Sequence, residues 1–282
     1  MTGASTLARS SSLRQRVVTA FVLGPLVIAA VLLLPAQGFA AFLGLVALGA
    51  AWEWGALAGL EGRPARAAFV ALAALGLLLL WLFADWRPWL VAAGALWWAV
   101  QAVRIAGVRE IAPCVGCQPR QLAAGLLVLA APWSAMVDLH EVDRHGPLLV
   151  LFLMMLVWTA DSLAYFVGRR WGRTKLAPAV SPGKTRAGVY GALAGAALWG
   201  LILGWARSLG PGGTLVAALV CVVAVLASVV GDLYESLLKR QRGVKDSSQL
   251  LPGHGGLLDR LDSLTAAAPV FVLGLTLSGA LG

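Results

Sequence analysis

CVVAVLASVVGDLYESLLKR, Cys221–Arg240, runs eleven residues without a charge and then sets Asp232, Glu235, Lys239 and Arg240 into the next nine. The uncharged part ends an apolar run from about 213 to 231. Such a run reads as a membrane-spanning helix, because about 20 residues at 1.5 Å rise cross a hydrocarbon core about 30 Å thick. The charged part reads as the same helix leaving the membrane. The whole chain shares this character: 60% of its 282 residues are hydrophobic, only 12% are charged, and the mean hydropathy is +0.83. A water-soluble domain is nearer half apolar and a quarter charged.

Working outward from that run, nine apolar stretches are long enough to span: about 17–34, 38–60, 67–84, 88–106, 121–139, 146–168, 187–206, 213–231 and 264–281. The first follows Arg9, Arg14 and Arg16 as a signal peptide would, but it is long and eight more follow, so it reads as a retained helix. Lysine and arginine collect in cytoplasmic loops. With the N-terminus in the cytoplasm, all of the 22 cations except Arg87, Arg144 and Arg207 fall on the cytoplasmic side. The expected fold is therefore all-α: a polytopic integral membrane protein of about nine helices with a cytoplasmic N-terminus. The net charge of +9 belongs to one membrane face, suited to anionic headgroups or phosphates rather than to nucleic acid.

The chain divides by chemistry. Residues 1–120 read as a transmembrane scaffold of about four helices whose one conspicuous charge within a span is Glu53, inside Trp52-Glu53-Trp54. A carboxylate there is either functional or a helix-end group reaching water or a nearby arginine. Residues 121–282 read as the catalytic region. Its two long connections, 168–186 and 232–263, hold half of the cations, with Asp161, Asp232, Asp246, Asp259 and Asp262 around them. Cys114 and Cys117 form a CxxC that is a redox pair, half a zinc site, or two incidental thiols.

On the exiting helix Asp232, Glu235 and Lys239 share one face at i, i+3 and i+7, either as a solvated helix end or as a site. Directly after the apolar run, the Asp232 carboxylate calls for a cation nearby. The second stretch, KDSSQLLPGHGGLLDRLDS, Lys245–Ser263, supplies complementary parts. Asp259 and Asp262 lie one turn apart where the ninth helix begins, and Pro252, Gly253, Gly255 and Gly256 around His254 make a bend whose backbone N–H groups can approach an anion. Asp232 with Glu235 and Asp259 with Asp262 thus converge on a hard divalent cation. All-oxygen ligation suits Mg²⁺.

SPGKT, Ser181–Thr185, looks like the end of a Walker A loop, but Pro178 stands where its first glycine belongs. As Gly-Lys-Thr in a basic loop ahead of a helix it can still hold phosphate. Asp161 and Tyr165, at i and i+4, face the same way at the cytoplasmic end of the sixth span, either as further lining of the site or as an interfacial pair.

Together these segments resemble the phosphatidate cytidylyltransferases. The family signature of serine, lysine-arginine, lysine-aspartate, PGHGG and DRLD is met by Ser236, Lys239, Arg240, Lys245, Asp246, Pro252 to Gly256, Asp259, Arg260 and Asp262. The segment Ala160–Thr185 is similar to a second family motif, though Arg186 and Ala187 stand where the family usually carries an aromatic and then an acidic or amide residue. The specific match covers a little over half of residues 160–263. The resemblance implies a Mg²⁺-dependent transfer of CMP from CTP to phosphatidic acid at the cytoplasmic face of the inner membrane, by a homodimer. It implies Asp232 and Asp259 as metal ligands, with Asp161, Asp246 and Asp262 as further ligands or beside them, and room for a second cation such as K⁺. Catalytic candidates are Asp232, Lys239, Asp246, His254, Asp259 and Arg260; candidates for CTP are Ser181, Lys184, Thr185, Arg240, Lys245, Gly255 and Gly256. Because a phosphate monoester is mostly ionised at neutral pH, His254 is expected to orient a phosphate or a ligand and not to take a proton. The lack of any Asp-Gly dipeptide speaks against a CDP-alcohol phosphatidyltransferase, and charges gathered at one face instead of mid-membrane speak against a transporter; a related enzyme with another lipid acceptor, such as an isoprenoid phosphate or an archaeal ether lipid, stays open because the apolar spans carry no readable selectivity.

Overall fold

A computed structural model describes residues 21–250 and 255–280. They fold as helices α1 (Phe21–Leu33), α2 (Ala36–Leu57), α3 (Arg63–Leu82), α4 (Arg87–Ala106), α5 (Pro119–Glu141), α6 (Gly146–Trp171), α7 (Arg186–Ala206), α8 (Gly210–Gln241) and α9 (Leu258–Leu277). Among the described residues, eight helices are long and apolar enough to cross a membrane. The first expected span, 17–34, begins outside the described residues, and its described part is the short apolar helix α1. The chain is thus a multi-pass, predominantly helical membrane protein.

Local sequence sets the helix starts. Prolines stand at the first positions of α3, α4, α5, α6 and α8, where no backbone N–H is needed. Helix α8 has 32 residues, about 48 Å of length, so it rises well clear of a core about 30 Å thick. That excess carries Asp232 through Lys239. Within a membrane, small residues let helices close. On α7, Gly188, Ala192, Ala196, Gly200 and Gly204 recur every four residues and are all buried. At the lower end of that stripe Gly204 meets Thr214 of α8. Pro269 inside α9 cannot donate to the Thr265 carbonyl; the buried Trp98 Nε1 of α4 donates to it instead, at 3.1 Å.

Between α6 and α7, where the sequence predicts a basic loop, the chain forms a hairpin. Lys175–Ala177 (β1) and Ser181–Thr185 (β2) pair antiparallel, Lys175 opposite Thr185 and Ala177 opposite Ser181. Val180 in the turn is fully buried and anchors the hairpin. Thr185 ends β2 and caps α7, its Oγ1 accepting from Gly188 N at 3.2 Å.

The core is continuous from one half of the chain to the other. Tyr234 of α8 stacks on Trp54 of α2 and meets Trp97 and Trp98 of α4 edge-on. At the end away from the motif segments, Arg87 pairs with Asp138 and Glu141, both at 3.0 Å, and Arg207 with Asp143 at 2.9 Å. The Arg207 hydrogen bond holds the Asp143 carboxyl below its ordinary range.

Candidate functional site

Helices α8 and α9 meet where their charged turns begin. At Gly231 a Cβ would collide with the Asp262 carbonyl oxygen and lie 3.0 Å from Ala266 Cβ, so glycine there brings Asp232 and Asp262 together across the crossing. Asp262 comes within electrostatic reach of Asp232 and Glu235, and Asp161 of α6 within reach of Asp232 and Lys184. Asp232 and Asp262 therefore meet at the crossing of α8 and α9, and Asp161 lies near Asp232.

Two lysines sit among these acids. The β hairpin delivers Lys184 Nζ to Asp232 Oδ2 at 2.6 Å, while Ser236 Oγ donates to Asp232 Oδ1 at 3.3 Å. Lys239 points inward, 3.0 Å from Glu235 Oε2 and 2.5 Å from Asp259 Oδ1. Sequence spacing gave the Glu235–Lys239 contact; the second partner of Lys239 comes from a helix twenty residues away.

Asp259 Oδ2 accepts from Ser247 N at 2.9 Å, Ser247 Oγ at 2.9 Å and Gly256 N at 2.8 Å. Its side chain is 7% exposed. Gly255, with φ +84°, passes close to Asp259 and Asp246. Asp246 and Lys245 are exposed at the rim, and exposed Arg240 donates to the Val244 carbonyl at 3.2 Å. Ser181 is half-buried in the hairpin, and the hydroxyl of Thr185 is committed to capping α7. His254, Pro252 and Gly253 lie outside the described residues.

Glu53, offered by the sequence as either functional or a helix-end group reaching water or an arginine, is neither solvated nor, among the described residues, paired with an arginine. It is 2% exposed and takes donors from Ser247, Ser248, Leu257 and Leu258. The neighbouring Arg66 lies over the Trp52 ring instead. Ser247 and Ser248 were not singled out by sequence, where two serines in a polar loop carry no signal of their own. Cys114 and Cys117 are free thiols. Their loop is docked through Cys114 N to the Gln241 carbonyl at 2.9 Å, and through Arg242, which donates to the carbonyls of Leu57, Cys114 and Gly116.

A cavity of about 510 Å³ connects this polar cluster with apolar surface. Its floor holds Asp161, Asp259, Arg260 and Asp262, and its walls are apolar residues of α1, α2 and α6 such as Val27, Phe42 and Trp158. A larger cavity of about 1120 Å³ lies between α4, α7 and α8 with Arg186 and Tyr190 in its lining. Among the described residues no three acidic, histidine or cysteine side chains already stand at coordination spacing. The chemistry of the donor set fits a hard cation: the side chains gathered at these helix ends offer oxygen alone, and negative charge there calls for positive charge beside it. Lys184 supplies that charge to Asp232 here.

A family model described as "Cytidylyltransferase family" matches residues 14–278. The chain is similar to a phosphatidate cytidylyltransferase of Pseudomonas aeruginosa, 43% identical across 95% of this chain and 98% of that protein. A phosphatidate cytidylyltransferase of Haemophilus influenzae is 37% identical across 92% of this chain and 97% of its own length. One from Bacillus subtilis is 36% identical over 51% of this chain and 55% of that protein.

Proposed function

The chain belongs to the cytidylyltransferase family, and from that premise we propose that it transfers CMP from CTP to phosphatidic acid, giving CDP-diacylglycerol and diphosphate for phospholipid synthesis. The observation that carries the reading is a cavity with a carboxylate and arginine floor and apolar walls. It has the two chemistries a lipid phosphate needs, a polar place for the headgroup and an apolar path for the chains.

In this reaction a phosphate oxygen of phosphatidic acid attacks the α-phosphorus of CTP, and the bond to the bridging oxygen of the leaving diphosphate breaks. The attacking phosphate is already an anion at neutral pH, since its second pKa is near 6. The protein's work is then to place the two phosphates in line and balance their charge. Lys184, with Arg240, Lys245 and Arg260 around the rim, would face the triphosphate and the headgroup. Mg²⁺, which Asp232 would hold with Asp161, Asp259 and Asp262 near it, would supply charge stabilisation at the phosphates when bound, and the same carboxylates would leave room for a second cation such as K⁺. The N-terminal tail, with α1 as a ninth span, is assigned to the cytoplasm because lysine and arginine crowd the motif end. The chain is taken to act in the inner membrane as a homodimer, with the first four helices as scaffold and the rest carrying the motifs.

The test is product formation from labelled CTP and phosphatidic acid by membranes containing the protein, with and without Mg²⁺, beside Asp232→Asn and Asp259→Asn. Wild type should form CDP-diacylglycerol only with Mg²⁺, and well-expressed variants should form none. CTP binding without turnover of phosphatidic acid would redirect the assignment to another lipid phosphate.

A further inference from the structure

Glu53 stands in the second helix, in the half of the chain that carries no motif, yet its partners all lie in the motif stretch. Its Oε1 accepts from Ser248 Oγ at 2.5 Å and Leu257 N at 2.9 Å; its Oε2 accepts from Ser247 Oγ at 3.0 Å and Leu258 N at 2.8 Å. Leu257 and Leu258 open α9, whose first N–H groups have no acceptor within the helix, and no side chain of α9's own caps it at Leu257. Glu53 is that cap, supplied from another helix, with its negative charge at the positive end of the helix dipole. The same Ser247 hydroxyl lies 2.9 Å from Asp259 Oδ2, so its single proton is shared between the two carboxylates. Packing there is tight: a Cβ on Gly256 would collide with Ser247 Oγ and lie 2.8 Å from Glu53 Oε2.

We propose that Glu53 is a positioning residue of the nucleotidyl-transfer site, holding both flanks of the Lys245–Ser263 stretch and, through Ser247, the orientation of Asp259. This rests on the reading that Asp259 belongs to the reaction centre. A carboxylate is the one side-chain group that meets the demand, because it only accepts and has about four lone-pair sites for two backbone N–H groups, the Ser248 hydroxyl and a share of the Ser247 proton. In a Glu53→Gln variant the amide nitrogen would face either the Leu257 or the Leu258 N–H, donor against donor. The serine hydroxyls can turn to suit; the backbone N–H cannot.

The experiment measures kcat, KM for CTP and melting temperature on the full-length protein in lipid vesicles, for wild type, Glu53→Gln, Glu53→Asp, Ser248→Ala and Asp259→Asn. Loss of a partner that orients a functional ligand typically costs roughly 10–100-fold in activity. Glu53→Gln should lose about that much in kcat while KM for CTP moves less than about threefold. Glu53→Asp, which keeps the charge, should fall between Gln and wild type. Ser248→Ala should lose less, and its loss should shrink in the Glu53→Gln background because the two act through one contact. A lowered melting temperature with kcat intact would make Glu53 a fold staple only and overturn the proposal; so would a raised KM with unchanged kcat. If Glu53→Gln cannot be recovered folded, Ser248→Ala decides, and wild-type kcat in that variant rejects the idea. Asp259→Asn separates the two levels: its retained turnover would sink the site reading itself, whereas an inactive Asp259→Asn beside a fully active Glu53→Gln sinks only the positioning role.

Discussion

Two lysines in the site meet their carboxylates in different surroundings, and their substitution should separate accordingly. Lys239 lies between Glu235 and Asp259 with all three side chains largely buried. Removing one partner from such a set strands charge in a poor solvent and typically costs about 3–5 kcal/mol. Lys239→Met is expected to lower the melting temperature steeply in detergent, and loss of activity should follow loss of fold. Lys184 and Asp232 are each partly exposed, so their pair is worth at most about 1 kcal/mol to stability. Lys184→Met should therefore melt like wild type and yet show weaker CTP binding or slower turnover; a stability loss as large as that of Lys239→Met would contradict this division. Spacing made Glu235–Lys239 legible, since i and i+4 meet on any helix. It could not show Asp259 as the second partner, which depends on where α9 lands.

Single elements carry their own consequences. The α8–α9 crossing closes at Gly231, so Gly231→Ala should force the helices apart, cost about 1–3 kcal/mol and reduce turnover, readable as a lower melting temperature. Arg242 binds three backbone carbonyls that tie the Cys114 loop to α2 and α8. Arg242→Ala should release that loop, measured as faster alkylation of half-buried Cys114, with exposed Cys117 little changed. In the turn between α5 and α6, Asp143 is held below its ordinary pKa of 3.8 by Arg207. A lowered carboxyl pKa stabilises the fold above the unfolded value and loses that contribution as pH falls through the folded one. The melting temperatures of wild type and Asp143→Asn should thus differ slightly at neutral pH and converge on acidification below about pH 3.8. At this scale the spans were plain in the sequence because a membrane demands a long apolar run. The β1–β2 hairpin was not: its strands are too short for a period, and Pro182 and Gly183 mark a loop as readily as a turn-bound strand.

For the molecule as a whole, the strongest sequence signal was the segregation of cations, and it leads to a topological test. Cys117 is exposed at the motif end while Cys221 is buried. A membrane-impermeant maleimide should label the protein in inverted vesicles and spare it in intact spheroplasts; the opposite result would invert the orientation. The sequence also marked nearly every charged residue of the motif end, because intramembrane charge is conspicuous. It could not show that the two halves share one polar junction, since Glu53 lies 194 residues from Ser247 and nothing in Trp52-Glu53-Trp54 names that partner. That separation has a consequence for biogenesis. At about 5–20 residues per second of synthesis, α2 waits about ten to forty seconds before the segment that satisfies its carboxylate leaves the ribosome. Until then the nascent protein holds an acid at the membrane border without the four partners it has in the finished fold. Closing that contact is among the last acts of assembly, so a prematurely terminated chain would carry its own mark of incompleteness.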